Sequence, residues 1–374
     1  MTEANHTYNF SNLGFSDRVQ LDYDEVANSY GFDNSPKLSK DGQKLTYEPA
    51  RIVKVDRGFP LVAARSGSYR TELSSGLAKK ARKNALSRPA VGDWVVLAHP
   101  PDHEFGIVEA FLPRYSSLKR RDPIERKSAG YAQAQQSIGQ IVVSNIDIIF
   151  VVQALSTTSC SVNLARMERE LVLAYQSGAR PMIVLTKADL CPDPEASARH
   201  AAQSAAGAPI IIESAVTGLG IAEIRRIIGP GVTASLLGAS GVGKSTMINR
   251  LLGHDRQHTL STRESDDRGR HATVARELIE LPLQKTDMGP SGGGVIIDTP
   301  GMRSLALWQA DRGLELAFPE ITEAAESCKF GDCAHGNEPK CGVKAAVELG
   351  DIDEDRYLRY LNLQKELAEE SNPA

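Results

Sequence analysis

The apolar and polar positions divide the chain of 374 residues into stretches of different periodicity. Residues 1–48 are polar, and we expect them to be poorly ordered or loosely docked. From 49 to 115, apolar and polar positions alternate with period two between Gly and Pro breaks, which predicts a small five-stranded all-β barrel. A basic linker, 116–140, precedes residues 141–303, whose apolar runs RPMIVLT and GGGVIID are typical of buried strands in an α/β domain. Apolar positions at helical intervals predict an α-helical domain over 304–374, with helices in ITEAAES and DIDEDRYLRYLNLQKELAEE. In the second helix, one apolar packing stripe is formed by Tyr357, Leu358, Leu361 and Ala368 and an adjoining row by Tyr360, Leu363 and Leu367.

A phosphate loop is predicted at residues 238–246, between the strand TASLL and the helix STMINRLLG. The loop fits G-x-x-x-x-G-K-[ST], in which glycines let backbone N–H groups turn towards phosphate oxygens at the positive end of the helix. Lys244 would reach the β- and γ-phosphates, and the Ser245 hydroxyl would bind Mg²⁺. The alternative is a Gly-rich turn that binds nothing. The predicted loop residues are Gly238, Ala239, Ser240, Gly241, Val242, Gly243, Lys244, Ser245 and Thr246.

A guanine-recognition segment is predicted at TKADL, residues 186–190, at the end of an apolar strand. Its aspartate would accept the N1–H and the exocyclic amine of guanine, a donor pair that adenine lacks. The S-A pair in IIIESAVTG would offer a backbone N–H to guanine O6. Thr stands at position 186 where Asn is usual, and we expect Thr to link this segment to the phosphate loop less well. A solvated strand end is the alternative. The predicted residues are Thr186, Lys187, Ala188, Asp189, Ser214 and Ala215.

The ligands of magnesium and the γ-phosphate are predicted from two further segments. In DTPG, residues 298–301, Asp298 would hold Mg²⁺ through water and Gly301 would donate its N–H to the γ-phosphate. In the polar segment RGRHATVAREL, Thr273 would close over Mg²⁺ and the γ-phosphate as a switch, and a flexible surface loop is the alternative. The guanine-recognition segment thus precedes the phosphate loop, which precedes both switches. This order indicates a circularly permuted P-loop GTPase domain, from which the chain exits directly after the second switch.

The group that positions the attacking water is predicted by elimination. Many GTPases carry Gln after D-x-x-G, but Met302 occupies that place, so we expect slow intrinsic hydrolysis. His271 in the first switch is the best candidate for the catalytic group, and a solvent-exposed loop histidine is the alternative. Gly241 stands where cation-dependent GTPases carry Asn, so no Asn-held K⁺ is expected.

A metal site is predicted in CKFGDCAHGNEPKC, where three cysteines and one histidine lie close together in the chain. Three thiolates and one imidazole complete a tetrahedral zinc shell, so one structural Zn²⁺ is expected. The alternative is a chance grouping of reduced cysteines and a surface histidine. The predicted ligands are Cys328, Cys333, His335 and Cys341. Cys160 and Cys191 are expected to be ordinary packing residues.

The net charge of −4 conceals an uneven distribution. Residues 1–50 contain 4 Lys/Arg and 8 Asp/Glu, whereas residues 51–127 contain 16 and 8. A basic module on an acidic protein is typical of nucleic-acid binding, although a solvated basic surface is the alternative. The basic run KKARKN, residues 79–84, would lie in a loop between barrel strands. Five cysteines, no secretory signal and no long apolar run predict a reducing cytoplasm, no disulfides and no membrane association.

The chain resembles a known family, the circularly permuted ribosome-associated GTPases of the RsgA (YjeQ) type. The resemblance spans roughly residues 49–369 and includes VGDWV, NIDIIFVV, T-K-A-D, GASGVGKST, GRHAT, DTPGMR and the Cys/His cluster. It implies an OB-fold for the barrel, a helical zinc domain and a catalytic part for His271. It also implies the 30S subunit, with 16S rRNA and small-subunit proteins, as partner, and GTP or GDP with Mg²⁺ as ligand. We expect a monomer. Thr186, Ala272 and the N-terminal extension depart from the family pattern, and they bear on nucleotide affinity.

Two functions are compatible with the sequence. The first is a GTPase of late small-subunit maturation, in which the subunit stimulates hydrolysis and hydrolysis promotes release. The second is an RNA-binding assembly scaffold whose site senses nucleotide and turns over negligibly, and it is favoured by Met302 and Thr186. An unrelated P-loop ATPase is a third and more distant alternative.

Overall fold

The computed structural model describes residues 8–32, 44–56, 59–99, 105–121, 139–156, 160–253, 276–286, 289–298, 305, 307 and 309–371. The chain forms two compact units. Unit 1 comprises Met1–Ile148, Ile221–Leu236 and Ser245–Met302. Unit 2 comprises Ile149–Gly220, Leu237–Lys244 and Arg303–Ala374.

The described helices and strands alternate along the chain in an order typical of a barrel followed by an α/β domain and helices. The strands are β1 Thr46–Asp56, β2 Phe59–Ala64, β3 Gly67–Leu73, β4 Trp94–His99, β5 Gly106–Phe111, β6 Ser117–Arg121, β7 Gly139–Ser144, β8 Ile148–Ala154, β9 Arg180–Thr186, β10 Ile210–Ile212, β11 Thr233–Leu237, β12 Glu277–Glu280, β13 Gln284–Thr286, β14 Gly289–Ser291 and β15 Val295–Asp298. The helices are α1 Asp17–Tyr30, α2 Ser75–Lys83, α3 Leu164–Ser177, α4 Pro194–Ala202, α5 Ile221–Ile227, α6 Lys244–Leu252, α7 Asp311–Ala317, α8 Pro319–Ala325, α9 Gly342–Leu349 and α10 Glu354–Ser371. Within these described ranges, no helix has both the length and the hydropathy needed to cross a bilayer.

The predicted five-stranded barrel is confirmed in unit 1. Its strands follow the order β1-β2-β3-β5-β4, and β4 pairs back with β1 to close it. β1 pairs with β4 from Thr46 to Arg51 and with β2 from Ala50 to Asp56, and the β2 pairing contains a register shift between Ile52 and Lys54. The alternating apolar positions meet inside, where Ile52, Val62, Val95, Leu97 and Val108 are fully buried.

The basic run lies between β3 and β4, as predicted, but it forms most of α2 instead of a loop. Leu77 and Ala81 are buried on one side of this helix. The four basic side chains, Lys79, Lys80, Arg82 and Lys83, are exposed on the other. The helical spacing therefore separates an anchoring face from a positively charged face.

Residues 8–32 correct the expectation of a poorly ordered N-terminal extension. α1 begins after Ser16, whose hydroxyl accepts from Val19 N, and ends at Gly31 in the left-handed conformation. Leu13 is fully buried, and Phe10 and Phe15 lie against Trp94 of the barrel with ring centroids 5.7 and 5.6 Å away. A few apolar side chains dock the segment against the barrel. Because most of its residues are polar, its average composition did not predict this contact.

The α/β elements follow the permuted order that the motifs predict. In unit 1, β15 pairs in parallel with β11 and antiparallel with β12. In unit 2, β9 lies between β8 and β10, and its pairing with β10 is parallel. β9 leads into the guanine-recognition segment, whereas β11, later in the chain, leads into the phosphate loop.

The C-terminal helices include both predicted ones, α8 and α10, together with α7 and α9. On α10 the buried side is formed by Tyr360, Leu363 and Leu367. Leu358, which the sequence placed in an apolar stripe, is 48% exposed. Arg356, four residues before Tyr360 and on the same face of α10, is buried beside Glu168 of α3, which is itself fully buried. Arg356 Nη1 lies 3.0 Å from Glu168 Oε1.

Arg51 in β1 is a fully buried guanidinium that connects four segments of unit 1. Nε donates to Gly92 O at 3.2 Å, and Nη2 donates to Asn145 O at 2.8 Å. Nη1 donates to Thr233 Oγ1 at 2.8 Å and also to Leu13 O. The Arg51 guanidinium therefore connects the barrel and the N-terminal extension to β11 and to the turn between β7 and β8.

Replacing this donor should destabilise the protein strongly. Arg51→Met would leave the backbone carbonyls of Leu13 and Asn145 without this donor, whereas Gly92 O keeps the Asn145 side-chain amide at 3.0 Å. At about 1 kcal/mol or more for each lost donor, we expect a loss of about 2 kcal/mol or more. Urea unfolding followed by circular dichroism measures it. Arg82→Met, an exposed position on α2, is the control, and we expect a change below about 0.5 kcal/mol. Equal unfolding midpoints for the two variants would contradict this role of Arg51.

Candidate functional site

The phosphate loop leads into the first turn of α6, and two of its glycines are required by geometry. Gly238 has φ +153°, and a Cβ there would lie 2.6 Å from Val152 O of β8. Gly243 has φ +97°, and its open side faces Thr186. Lys244 Nζ donates to Gly238 O at 2.6 Å and to Ala239 O at 2.7 Å. The ammonium is therefore held on the loop that would carry the phosphates.

Thr186 links the guanine-recognition segment to the phosphate loop. Its buried hydroxyl donates to Val242 O at 2.5 Å and lies 3.3 Å from Gln153 O. A Cβ on Gly243 would make only an ordinary contact with this hydroxyl at 3.6 Å, so the φ of +97° is what favours glycine there. We expected a weaker link from Thr than from Asn, but the structure gives Thr186 a direct hydrogen bond to the phosphate loop.

The guanine-recognition segment forms a tight turn that presents Asp189. Lys187 is left-handed at φ 59°, and Ala188–Leu190 form a single 3₁₀ turn. The Ser214 hydroxyl donates to Asp189 Oδ1 at 2.6 Å and so orients the carboxylate. Ser214 N donates to Leu219 O at 3.1 Å, which leaves Ala215 as the candidate donor to guanine O6. The S-A pair would therefore contribute the Ser214 side chain to Asp189 and the Ala215 backbone amide to guanine.

The predicted magnesium ligands are only partly described. Ser245 lies in the first turn of α6, and Asp298 ends β15. Both residues belong to unit 1. The candidate catalytic group His271, the switch residue Thr273 and Gly301 lie outside the described residues, as does Met302. Their roles therefore stay predictions.

The four predicted zinc ligands converge at one point. Their ligand atoms all lie within 4.8 Å of one another. Cys328 Sγ is 3.8 Å from Cys341 Sγ, and His335 Nδ1 is 3.5 and 3.6 Å from these two sulfurs. A tetrahedral zinc with its usual bond lengths requires separations of about 3.8 Å between sulfurs and about 3.6 Å between sulfur and nitrogen. The donor set and its spacing therefore fit zinc.

The backbone around the zinc cluster explains how four ligands meet within fourteen residues. His335 and Lys340 are left-handed, at φ 60° and 58°, which turns the chain sharply between the ligands. Gly342 N, at the start of α9, donates to Cys328 Sγ at 3.3 Å. Tyr357 of α10 donates its hydroxyl proton to His335 O at 2.5 Å. A helix start and a tyrosine thus fix two of the ligands.

Comparison with known proteins decides the family. The RsgA GTPase family model matches residues 117–308. The chain belongs to the RsgA GTPase family. It is 41% identical over 318 residues to the small ribosomal subunit biogenesis GTPase RsgA 2 of Lactiplantibacillus plantarum, covering 85% of this chain and 83% of that protein. It is 38% identical to the RsgA of Syntrophotalea carbinolica over 329 residues, 87% of this chain and 85% of that one.

Solved structures agree with this RsgA family assignment in fold. YjeQ from Thermotoga maritima superposes with a TM-score of 0.59 at 24% identity, over 86% of this chain and 99% of that one. YloQ, described as a circularly permuted GTPase, superposes with a TM-score of 0.55 at 26% identity, over 88% of this chain and 98% of that one. The predicted fold of barrel, permuted P-loop domain and helical C-terminal region is confirmed.

Two buried acidic residues of this RsgA family member were missed by sequence reasoning. Burial raises the pKa of Glu170 in α3 to about 7, opposed by the charges of Lys244, Arg166 and Arg169 and by a hydrogen bond from Gln153. Burial raises the pKa of Glu213 to about 7 as well, and the neighbouring charge of Asp189 adds to the effect. Neither position belongs to a recognised motif. The one signal in the sequence is that Glu213 directly precedes the S-A pair.

Cys160 and Cys191 correct a further expectation. We predicted packing residues and no disulfide, but the structure joins the two sulfurs in a disulfide. The three cysteines of the predicted zinc site form no disulfide by contrast. The five cysteines therefore separate into a metal-binding set and a bonded pair beside the guanine-recognition segment.

Removing the Thr186 hydroxyl should weaken nucleotide binding. Thr186→Val keeps the shape but loses the hydrogen bond to Val242 O, worth about 1 to 1.5 kcal/mol, so we expect guanine nucleotide affinity to fall about tenfold. Titration with a fluorescent GDP measures it. Thr322→Val removes an exposed hydroxyl from α8 and should leave affinity unchanged. Wild-type affinity in Thr186→Val would show that the link does not support the site.

Removing one zinc ligand should disrupt the metal site and leave the nucleotide site nearly unchanged. Cys333→Ser should release the metal and loosen residues 328–341. GTP affinity should change less than about twofold, because the contacts between α10 and Glu168 of α3 use no zinc ligand. Elemental analysis and nucleotide titration measure the two effects. Cys160→Ser, outside the cluster, should keep its zinc. A comparable loss of GTP affinity in Cys333→Ser would show that the zinc region is part of the nucleotide domain.

Proposed function

We propose that this chain is a GTPase that binds the 30S ribosomal subunit and hydrolyses GTP to GDP during late maturation of that subunit. The subunit stimulates hydrolysis, and hydrolysis promotes release. The observation that carries the proposal is the hydrogen bond from Thr186 to Val242 O, because it joins a guanine-recognition segment to a phosphate loop. Relatives that are 38–41% identical are named small ribosomal subunit biogenesis GTPases, which supports the same partner.

The chemistry assigned to each residue follows from phosphoryl transfer to water. Asp189, oriented by Ser214, accepts the two donors of guanine. Lys244 and the amides of the phosphate loop bind the β- and γ-phosphates. Ser245, Thr273 and Asp298 would hold Mg²⁺, which supplies neutralisation of the phosphate charge. His271 positions the attacking water, since Met302 cannot accept or donate a useful hydrogen bond there.

The RNA-binding surface is assigned to the exposed face of α2. Its four basic side chains lie on a helix whose other side is anchored in the barrel by Leu77 and Ala81. A fixed cluster of positive charge matches the phosphate backbone of 16S rRNA and needs no base-specific contact. A ribosomal partner is also consistent with a cytoplasmic monomer.

The second candidate function is a nucleotide-sensing scaffold for ribosome assembly with negligible turnover. Met302 favours it, because it removes the usual water-positioning glutamine. Thr186 no longer favours it, since its hydroxyl links the two halves of the nucleotide site. Turnover on the subunit therefore distinguishes the two functions.

Purified 30S particles should stimulate multiple-turnover phosphate release by at least about tenfold, since positioning of water contributes on that scale or more. His271→Ala should abolish the stimulation while GTP and 30S binding persist, so the variant accumulates on the subunit with GTP bound. His200→Ala, an exposed histidine on α4, is the control and should behave as wild type. Absence of stimulation in the wild type would favour the scaffold, and wild-type turnover by His271→Ala would assign the water to a ribosomal group.

Neutralising the α2 face should weaken subunit binding and flatten its salt dependence. Glutamine at Lys79, Lys80, Arg82 and Lys83 removes up to four phosphate contacts, so the slope of log affinity against log salt should fall by about 3. Sedimentation with 30S at several salt concentrations measures both. The control carries the same charge change at exposed positions elsewhere, Arg180, Arg199, Arg226 and Lys365. Identical slopes for the two variants would remove α2 from the RNA contact.

A further inference from the structure

A sulfur pair adjoins the guanine-recognition segment, and no motif accounts for it. Cys191 follows TKADL directly, is buried, and closes the turn by donating its N–H to Ala188 O at 3.1 Å. Cys160 lies beyond β8, is half-buried, and donates its N–H to Ser156 O at 3.2 Å. Their Cα atoms are 5.4 Å apart, within the range of about 4.4–6.8 Å that disulfides occupy.

The bonded pair supports the turn that presents Asp189. Lys187 holds a left-handed conformation that few residues other than glycine adopt, so the turn needs external support. Part of this support comes from Ala188 N, which donates to Glu213 O at 3.0 Å. α4 supports the pair from behind, because the Ser197 hydroxyl donates to Cys160 O at 2.6 Å and lies 3.7 Å from Cys191 Sγ. The disulfide adds a covalent connection between this turn and the chain that follows β8.

A disulfide at this place conflicts with the reducing compartment that the sequence indicates. In such a compartment stable disulfides are rare, and those that form are usually transient and redox-sensing. We propose that Cys160 and Cys191 form a reversible redox pair whose oxidation fixes the guanine-recognition turn and slows the release of guanine nucleotide. This inference rests on the proposed function in one respect, namely that Asp189 binds guanine.

The oxidant belongs to the class of low-molecular-weight disulfides, of which glutathione disulfide is the example used here. The Cys160 thiolate, the more exposed of the two, attacks one glutathione sulfur and expels the first glutathione thiolate. The Cys191 thiolate then attacks Cys160 Sγ in the mixed disulfide and expels the second. Both cysteine thiols lose their protons, two electrons pass to glutathione disulfide, and two glutathione thiols form.

Oxidation should act on nucleotide release because it lowers the ordering cost of binding. A turn that is already fixed loses less conformational freedom when guanine binds, and a fixed turn opens less often to let guanine leave. The structure with the bond keeps the hydrogen bonds of Asp189 and Thr186, so oxidation is compatible with a competent site. We expect nucleotide dissociation to slow by about threefold to tenfold.

The experiment uses the full chain loaded with zinc and equilibrated at different ratios of glutathione to glutathione disulfide. Alkylation and peptide mass measure the fraction of bonded pair, and displacement of fluorescent GDP measures the dissociation rate. The matched control is the double variant Cys160→Ser with Cys191→Ser. It retains the zinc cysteines, so any redox response of the zinc cluster appears equally in both proteins.

Dissociation at least about threefold slower in the oxidised wild type, with no change in the double variant, is the expected result. Thiols that stay reduced at every glutathione ratio would overturn the proposal, as would a bond that leaves dissociation unchanged or accelerates it. The same slowing in the double variant would assign the response to the zinc cluster and overturn it too. Normal GDP binding without a redox response overturns the redox proposal alone, whereas no binding in either state overturns the proposed function with it. The comparison of oxidised with reduced wild type stands even if the double variant does not fold.

Discussion

The hydrogen bond from Thr186 Oγ1 to Val242 O is the contact on which the nucleotide site depends, because 56 positions separate the two residues in the chain. Permutation places the guanine-recognition segment first, so the phosphate loop must be held to it by contacts that are distant in sequence. Gly243 adopts the φ of +97° that the loop needs, and Gly238 lets the loop approach β8. Each of these features would be an ordinary detail in isolation. Together they would let guanine and phosphate bind to one preformed site, which would reduce the ordering cost of binding.

α3 extends this arrangement towards the C-terminal helices through three consecutive side chains. Glu168 is buried between Arg356 and Arg359 of α10, with Nη1 and Nε at 3.0 and 2.7 Å from its oxygens. Arg169 lies 2.6 Å from Glu366 and donates to Leu305 O at 2.7 Å, just beyond the second switch in sequence. Glu170 accepts a hydrogen bond from Gln153 at 2.7 Å, and the positive charge of Lys244 lowers its pKa against the effect of burial. Separating α10 from α3 would leave a buried carboxylate without its partners, so within unit 2 the two helices are expected to move together.

The features that sequence reasoning predicted are those encoded by local pattern. Period-two alternation gave the barrel, and motif spacing gave the phosphate loop, the zinc ligands and the permuted order. The features it missed depend on contacts between distant residues. A polar segment docks through Leu13, Phe10 and Phe15, three apolar residues too few to change its average composition. The prediction that Cys160 and Cys191 form no disulfide rested on the reducing compartment that the sequence indicates. Their proximity depends on the fold, which that argument did not include. Leu358 fits a helical stripe, yet the buried face of α10 is the adjoining row of Tyr360, Leu363 and Leu367, to which Arg356 adds an ion pair with the buried Glu168.

The residues proposed for binding and those proposed for hydrolysis lie in different kinds of segment in this chain. The residues for binding lie at strand ends and in turns that are fixed by named hydrogen bonds, whereas His271 and Thr273 come from a polar stretch whose sequence contains few apolar residues. Linkage constrains the first process but not the second. If GTP changes the affinity for the ribosomal subunit, the subunit must change the affinity for GTP by the same factor, but a rate of hydrolysis obeys no such reciprocity. In the proposed function, changes within residues 186–246 would therefore alter affinities that are coupled in this way, whereas a change at His271 would alter the rate of hydrolysis and with it the time spent on the subunit.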